Sequence, residues 1–381
     1  MPMKNGKKIK ILQICNHFWP CTGGIESVVL DICKRLKAED FECAVACLDK
    51  CTSKGKVMKY ADNFNNIKIT RLPFIDLKYY KICPRILKIV KNYDVLHIHG
   101  IGFFSDFLIL TKPIHRKKII ISTHGGVFHT KKMWVIKQIY FNVLEKIILR
   151  FADRVLAVSQ NDEEIFSKIV LKKKLILLEN GIEIPTTNKI KKIGNKIFLF
   201  VGRLSENKRI EKIIEALSDI LKSDKNAKLI IVGADFSGIR MKLEKLAEER
   251  GVNEKIIFTG KISEEGLEKY YSEANFIISA SSYEGFGLTV FEGMARGLVP
   301  IVQPLPTFRK IIKQGENGYL VDFADTKKAT EDIRKILTKT RNDISKNSSN
   351  AASAVKCFAW AEKIKQLIEI YQGEKNDSTY Q

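Results

Sequence analysis

The stretch Lys10–Leu36 reads KILQICNHFWPCTGGIESVVLDICKRL, and its pattern decides the fold. An apolar run from Lys10 to Cys15 leads to Gly23 and Gly24, then to Ile25, Val28, Val29, Ile32, Cys33 and Leu36. Those six residues fall at offsets 0, 3, 4, 7, 8 and 11 from Ile25, the spacing of a helix with one apolar face. A strand, a glycine turn and a helix with a face to bury on a sheet point to an α/β fold.

The same alternation runs outward from this stretch. Strands are expected at Glu42–Leu48, Ile67–Pro73, Val95–Ile98, Lys118–Ser122, Val155–Ser159 and Leu175–Leu178, which with Lys10–Cys15 complete a doubly wound domain. Between Ile184 and Lys196 the pattern lapses into Pro, Thr, Asn, Gly and Lys, the composition of a solvated connection. It resumes at Ile197–Val201, Leu229–Val232, Ile256–Thr259, Phe276–Ser279 and Val299–Val302, a second doubly wound sheet. A polar stretch rich in Ser and Asn, 345–353, precedes a last helix carrying Ala361, Ile364, Ile368 and Tyr371 on one side. The expected division is a first Rossmann-like domain over 1–186, a second over 197–356 and a C-terminal helix over 357–373. A chain of 381 residues exceeds what one core fills, in keeping with two domains.

Hydrophobic residues make up 45% of the chain and charged residues 28%, the balance of a soluble globular protein rather than a disordered one. Lys and Arg number 65 against 43 Asp and Glu, a net charge of +22 that suits an anionic substrate or partner. The N-terminal apolar run is too short for a signal peptide, and no stretch of 18 apolar residues is present to span a bilayer. The eight cysteines include no Cys-x-x-Cys pair, and buried free thiols in a reducing cytoplasm are expected.

The residues that carry chemistry stand at the ends of the expected strands. Gly23-Gly24 lets backbone amides approach a phosphate at a helix N-terminus. Gly202-Arg203 follows the first strand of the second half, with Lys208 close behind, and two cations beyond a strand's carboxyl end suit a diphosphate. Glu284-Gly285-Phe286-Gly287-Leu288 follows the strand through Phe276, and Glu292 lies one turn into the next helix. That spacing lets both carboxylates face one ligand and grip sugar and ribose hydroxyls.

In these motifs the chain resembles the family 4 retaining glycosyltransferases, built as two Rossmann-like domains facing each other across a cleft, the GT-B architecture. The Glu-x7-Glu of Glu284 and Glu292, with Gly-Phe-Gly-Leu inside it, is the most specific mark. Gly23-Gly24, Gly202-Arg203, Lys208, Asn180-Gly181-Ile182-Glu183 and Phe358-x-Trp360 fall in the matching order. The resemblance implies that Arg203 and Lys208 neutralise the donor diphosphate and that Glu292 holds the ribose. It implies further that Glu284 and the backbone of Gly285, Phe286, Gly287 and Leu288 grip the transferred sugar, while Gly202, Gly23 and Gly24 line the phosphates. His124, after the strand ending at Ser122, would face the sugar, and Ser159 would line the same crevice. The last helix would cross back onto the first domain. The donor is then a nucleotide-diphosphate sugar, with no resident cofactor. Several of these residues also resemble a subgroup that adds mannose to polyprenol-diphosphate-linked sugars in exopolysaccharide assembly.

His97 and His99 lie two apart on a strand with no third ligand near them, and no Asp-x-Asp motif occurs, so transfer without a metal is expected. Lys131–Phe151 reads as a basic amphipathic helix, able to cover a sheet or to lie on an anionic membrane. The expected location is cytoplasmic, peripheral on the inner face of the membrane. No nucleic-acid motif is present. Two rivals remain: a nucleotide-sugar epimerase or phosphorylase on the same fold, and a non-catalytic basic binding protein on a retired transferase scaffold.

Overall fold

A computed structural model of the chain describes residues 3–4, 7–21, 23–50, 57–77, 80–102, 104–125, 134–186, 196–235 and 237–373. Cys51, Gly126–Met133 and most of the expected connection, 187–195, lie outside the described residues. The chain divides into two compact units, Met1–Gly181 with Ala361–Gln381, and Ile182–Trp360.

The first unit is built on eight strands: β1 (Lys10–Ile14), β2 (Glu42–Leu48), β3 (Ala61–Phe64), β4 (Ile67–Leu72), β5 (Val95–His99), β6 (Lys118–Ser122), β7 (Arg154–Ala157) and β8 (Leu175–Leu177). Their spatial order is β8-β7-β6-β5-β1-β2-β4-β3. All neighbours are parallel except β3, an antiparallel edge strand whose polar sequence gave no period to read. Helix α1 (Gly24–Ala38) starts at the glycine pair and buries Val28, Val29, Ile32, Cys33 and Leu36, the stripe expected from its spacing.

In the second unit, β9 (Lys196–Val201), β10 (Ala227–Val232), β11 (Ile256–Gly260), β12 (Phe276–Ser279), β13 (Val299–Val302) and β14 (Tyr319–Leu320) form an all-parallel sheet in the order β11-β10-β9-β12-β13-β14. Successive residues of β9 enter opposite cores. Phe198 and Phe200 pack with Ile213, Leu217 and Phe276, while Leu199 packs with Ile277, Val290 and Phe291. Burial on both faces is why these strands read as unbroken apolar runs rather than alternating ones.

The polar stretch 345–353 lies within helix α5 (Arg341–Ala354), opened by a capping box in which Thr340 and Asp343 exchange hydrogen bonds. Its buried face is partly polar: Asn347 bonds the Tyr319 hydroxyl at 2.8 Å and the carbonyls of Gly315 and Glu316. The cysteine expectation needs correction: Cys21 is disulfide-bonded, whereas Cys15, Cys33, Cys43, Cys47, Cys83 and Cys357 are free thiols, of which only Cys357 is exposed.

Residues 134–151 are helical but not regular, with a π-helical segment at Tyr140–Glu145. That segment turns Glu145 into the core beside Asp106, where both carboxyls are fully buried. The Tyr140 hydroxyl bonds Asp106 and lies 3.0 Å from Glu145 Oε1, and its single proton cannot serve both oxygens. Burial, then repulsion from Asp106, pushes the Glu145 carboxyl up to about 8, so it keeps its own proton near neutrality.

Between an ordinary value of 4.5 and about 8, raising the pH strips a proton from the unfolded chain that the folded chain retains, so wild type loses stability across this window. Glu145→Gln, a neutral isostere, escapes that loss. Its melting temperature is expected to exceed that of wild type by a margin that widens from pH 5 to pH 8; a margin independent of pH would contradict the account.

Candidate active site

Parallel sheets bind ligands beyond the carboxyl ends of their strands, where successive connections leave in opposite directions. In the second unit that point lies between β9 and β12, because β10 and β11 follow β9 on one side while β13 and β14 follow β12 on the other. The loops after β9 and β12 are laced together: Ser282 N donates to Asn207 O at 2.8 Å and Arg209 Nε to Ala280 O at 2.6 Å.

Across this lacing Lys208 Nζ meets Glu284 Oε1 at 2.6 Å, with side chains 17% and 14% exposed. Ser281 Oγ donates to the same oxygen at 2.7 Å. The Lys208 stem passes close to Gly202, where a β-carbon would lie 3.8 Å from Lys208 Cε. Arg203, on the same loop, is exposed and forms no ion pair among the described residues. One loop thus offers an unpaired guanidinium and an ammonium shared with a carboxylate. Gly233, which sequence reading passed over, makes this loop possible: a β-carbon there would sit 1.8 Å from Gly202 O. The signal was a glycine directly after β10.

Glu284 lies in the loop after β12, and helix α4 (Leu288–Ala295) carries Glu292 one turn in, as expected. Glu292 accepts a bond from the Tyr271 hydroxyl at 3.3 Å. Gly287 caps α4 with φ +91, and a β-carbon on it would lie 2.5 Å from Phe308. Phe286 is buried edge-on against Phe291 and Phe358, so it anchors the loop and leaves only backbone for a ligand. Gly285 and Leu288 are half-buried on either side of it.

In the first unit, Gly23 and Gly24 open α1 on the loop after β1, Gly23 standing at the N-cap without a side-chain cap. Strand register sets a polar patch on one face of the central sheet. Gln13 pairs with His97 across β1 and β5, and His99 with Ser122 across β5 and β6. All four are buried. His99 Nδ1 reaches His124 Nε2 at 3.0 Å, so His124 joins the group from the loop after β6. Burial pushes His97 down to about 3 and His124 to about 4, and lowers His99 as well, so all three rings are neutral at physiological pH.

The backbone of His124 is left-handed, φ 47, a conformation that costs a non-glycine residue about 1–3 kcal/mol and that clusters at functional sites. It is held from both sides by Asp162, which accepts from Thr123 Oγ1 and, at 2.8 Å, from Gly125 N. Ser159 is buried and caps α2 (Gln160–Phe166), its oxygen accepting from Asp162 N at 3.1 Å. Ser159 therefore touches the turn of His124 through Asp162. Asp162 was legible only as the fourth residue of a capping motif beginning at Ser159. Among the described residues, no group of three or more His, Cys, Asp or Glu is placed to hold a metal ion.

Two doubly wound units with ligand loops at their switch points define the GT-B class, and comparison with solved structures agrees. The chain is similar in fold to sucrose-phosphate synthase from Thermosynechococcus elongatus, with a TM-score of 0.78 and 21% identity over 96% of this chain and 99% of that one. It is similar also to Anabaena HepE in complex with UDP, with a TM-score of 0.75 and 18% identity over 96% and 100%. Residues 22–184 match the family described as Glycosyltransferase Family 4, and residues 184–351 that described as Glycosyl transferases group 1. Over 366 residues the chain is 30% identical to the GDP-mannose:cellobiosyl-diphosphopolyprenol alpha-mannosyltransferase of Xanthomonas oryzae pv. oryzae, covering 95% of this chain and 96% of that protein. The chain belongs to glycosyltransferase family 4, and it is a glycosyltransferase.

Gly287→Ala joins a left-handed penalty to a collision with Phe308. It is expected to cost roughly 2 to 5 kcal/mol and to abolish nucleotide binding, read by thermal melting and titration calorimetry. A variant that melts and binds like wild type would show that the tight turn is dispensable.

Proposed function

We propose that the enzyme transfers mannose, with retention of configuration and without a metal, from GDP-mannose to a hydroxyl of a glycan carried on a polyprenol diphosphate. The observation that carries this reading is the Lys208–Glu284 pair beside Arg203, a cationic and an anionic group at one switch point. The relative from Xanthomonas oryzae, named for GDP-mannose and a diphosphopolyprenol acceptor, supports the choice of sugar and lipid.

In the proposed reaction Arg203 and Lys208 take the charge that grows on the diphosphate as its bond to the anomeric carbon breaks, which lowers the barrier most directly. Glu292 binds the ribose and Glu284 a sugar hydroxyl. His124, held neutral, accepts a hydrogen bond from another hydroxyl near the reacting carbon. The acceptor oxygen bonds to the anomeric carbon from the face that the diphosphate leaves, and a leaving phosphate oxygen takes the acceptor proton. Electrons and protons balance without a covalent enzyme intermediate.

A lipid-linked acceptor calls for a membrane-facing surface. In the helical run 134–151, Val135, Ile139, Val143, Leu144 and Ile147 are each at least 50% exposed and form an apolar stripe. Lys146 and Arg150 are exposed along the same run, and Leu110 and Ile114 are exposed on the helices beside it. Such a stripe flanked by bases is suited to the headgroup region of an anionic bilayer. No helix among the described residues is long and apolar enough to cross a membrane.

A panel of sugar nucleotides, incubated with polyprenol-diphosphate glycans and excess chelator and read by mass spectrometry, tests the reaction. Transfer from GDP-mannose is expected to lead the panel. Conversion of the donor to another sugar nucleotide without acceptor would reveal an epimerase, and turnover lost to chelator and restored by magnesium would overturn the metal-free step.

Sedimentation with vesicles tests the surface. The protein is expected to pellet with anionic vesicles at low salt and to be released as salt rises, since attraction fades within a Debye length of about 8 Å at physiological ionic strength. Ile139→Glu with Val143→Glu should keep it in the supernatant. Equal binding to neutral vesicles, or wild-type binding by the double variant, would contradict the assignment.

A further inference from the structure

Behind His124 a chain of hydrogen bonds runs through His99, Gln13, Tyr371 and His97 to Ser122. Gln13 Oε1 is 2.7 Å from His99 Nε2, and Gln13 Nε2 donates to Tyr371 Oη at 3.1 Å. Tyr371 Oη lies 2.6 Å from His97 Nδ1, and His97 Nε2 lies 2.9 Å from Ser122 Oγ. Tyr371 comes from helix α6 (Trp360–Gln372), which from Ala361 onward belongs to the first unit. Gln13, His97, His99 and Tyr371 are all buried, so water cannot substitute for any of these partners.

Each neutral imidazole has one donor and one acceptor nitrogen, so the orientation of the Gln13 amide fixes every other proton. With its oxygen toward His99, His99 must carry its proton on Nε2 and accept at Nδ1. His124 must then donate from Nε2, which leaves its Nδ1 bare. On the other branch the Tyr371 hydroxyl, having accepted from Gln13, donates to His97 Nδ1, and His97 donates from Nε2 to Ser122. Turning the amide over would reverse every donor and put a proton on His124 Nδ1.

The distances choose between the two. A gap of 2.7 Å suits N–H to a carbonyl oxygen and is short for N–H to nitrogen, and 3.1 Å suits an amide donor but is long for a hydroxyl donor. We propose that Gln13, His99 and Tyr371 are positioning residues that hold His124 as the Nε2–H tautomer, presenting the bare Nδ1 as a hydrogen-bond acceptor for a substrate hydroxyl. The role of the substrate hydroxyl rests on the reading of His124 given under the proposed function; the tautomer does not.

Nitrogen-15 spectra of the full-length protein labelled at histidine, with the His124 signals assigned by His124→Gln, measure the tautomer at neutral pH. Wild type is expected to show a protonated Nε2 and a bare Nδ1 at His124. Tyr371→Phe keeps the ring but removes the hydroxyl that orients the amide. It should shift His124 toward a mixture of tautomers and lower kcat roughly tenfold with the donor KM little changed, the lower end of the loss seen when a histidine loses its orienting partner. A wild-type His124 protonated at Nδ1, or a tautomer unmoved by Tyr371→Phe, would overturn the proposal even if transfer is observed. The expected tautomers in a protein that transfers no sugar would instead overturn the functional reading and leave the relay standing.

Discussion

Lys208 and Glu284 come from loops that follow different strands, and the ion pair between them is what makes those loops one surface. The first loop turns through a left-handed Arg209, φ 49, and the second, anchored by Phe286, through Gly287. A backbone bond from Ser282 to Asn207 and a side-chain bond from Arg209 Nε to the Ala280 carbonyl hold the loops together, and the pair then sets the distance between cation and carboxylate. A parallel sheet buried on both faces is the support beneath, because the two strands that launch the loops, β9 and β12, are neighbours in it.

In the proposed reading, an ammonium already held by a carboxylate is positioned before a diphosphate arrives, so little side-chain entropy remains to be lost on binding. The same logic governs the first unit. His124 is fixed through its backbone by Asp162 and through its ring by His99, two independent restraints on a residue whose backbone is strained. Neutral imidazoles suit this design, since charging any one of them inside the sheet would require a counter-ion that the surroundings do not supply.

Much of this was legible in the sequence, because periodicity reports burial and burial builds sheets. Twelve expected strands correspond to observed ones, and the helix at Gly23-Gly24 starts where the glycines predict. The elements missed were those whose partners are polar or remote. Strand β3 is an exposed edge, and α5 buries Asn347 and alanines rather than a leucine stripe, although Thr340 and Asp343 carried its capping signal. On α6, Ile364 and Tyr371 are buried as the spacing predicts, whereas Ala361 is exposed and Leu367 and Ile370 widen the buried face. At the site, residue types and order marked Lys208, Glu284, Glu292 and His124. The parts played by Gln13 and Tyr371, and the bonds of Asp162 to the turn of His124, were invisible because each is made to a neighbour far away in the chain, and no local spacing encodes such a contact.

The central claim is a division of labour within the ion pair, Lys208 serving the diphosphate and Glu284 the sugar. Titration calorimetry of GDP into Lys208→Ala and Glu284→Ala separates the two roles without requiring turnover. Lys208→Ala is expected to bind GDP markedly more weakly than wild type, whereas Glu284→Ala, which frees the ammonium from its partner, should bind GDP at least as tightly. Equal loss of GDP affinity in both variants would contradict the account, because it would mean that the pair acts on the nucleotide as a unit.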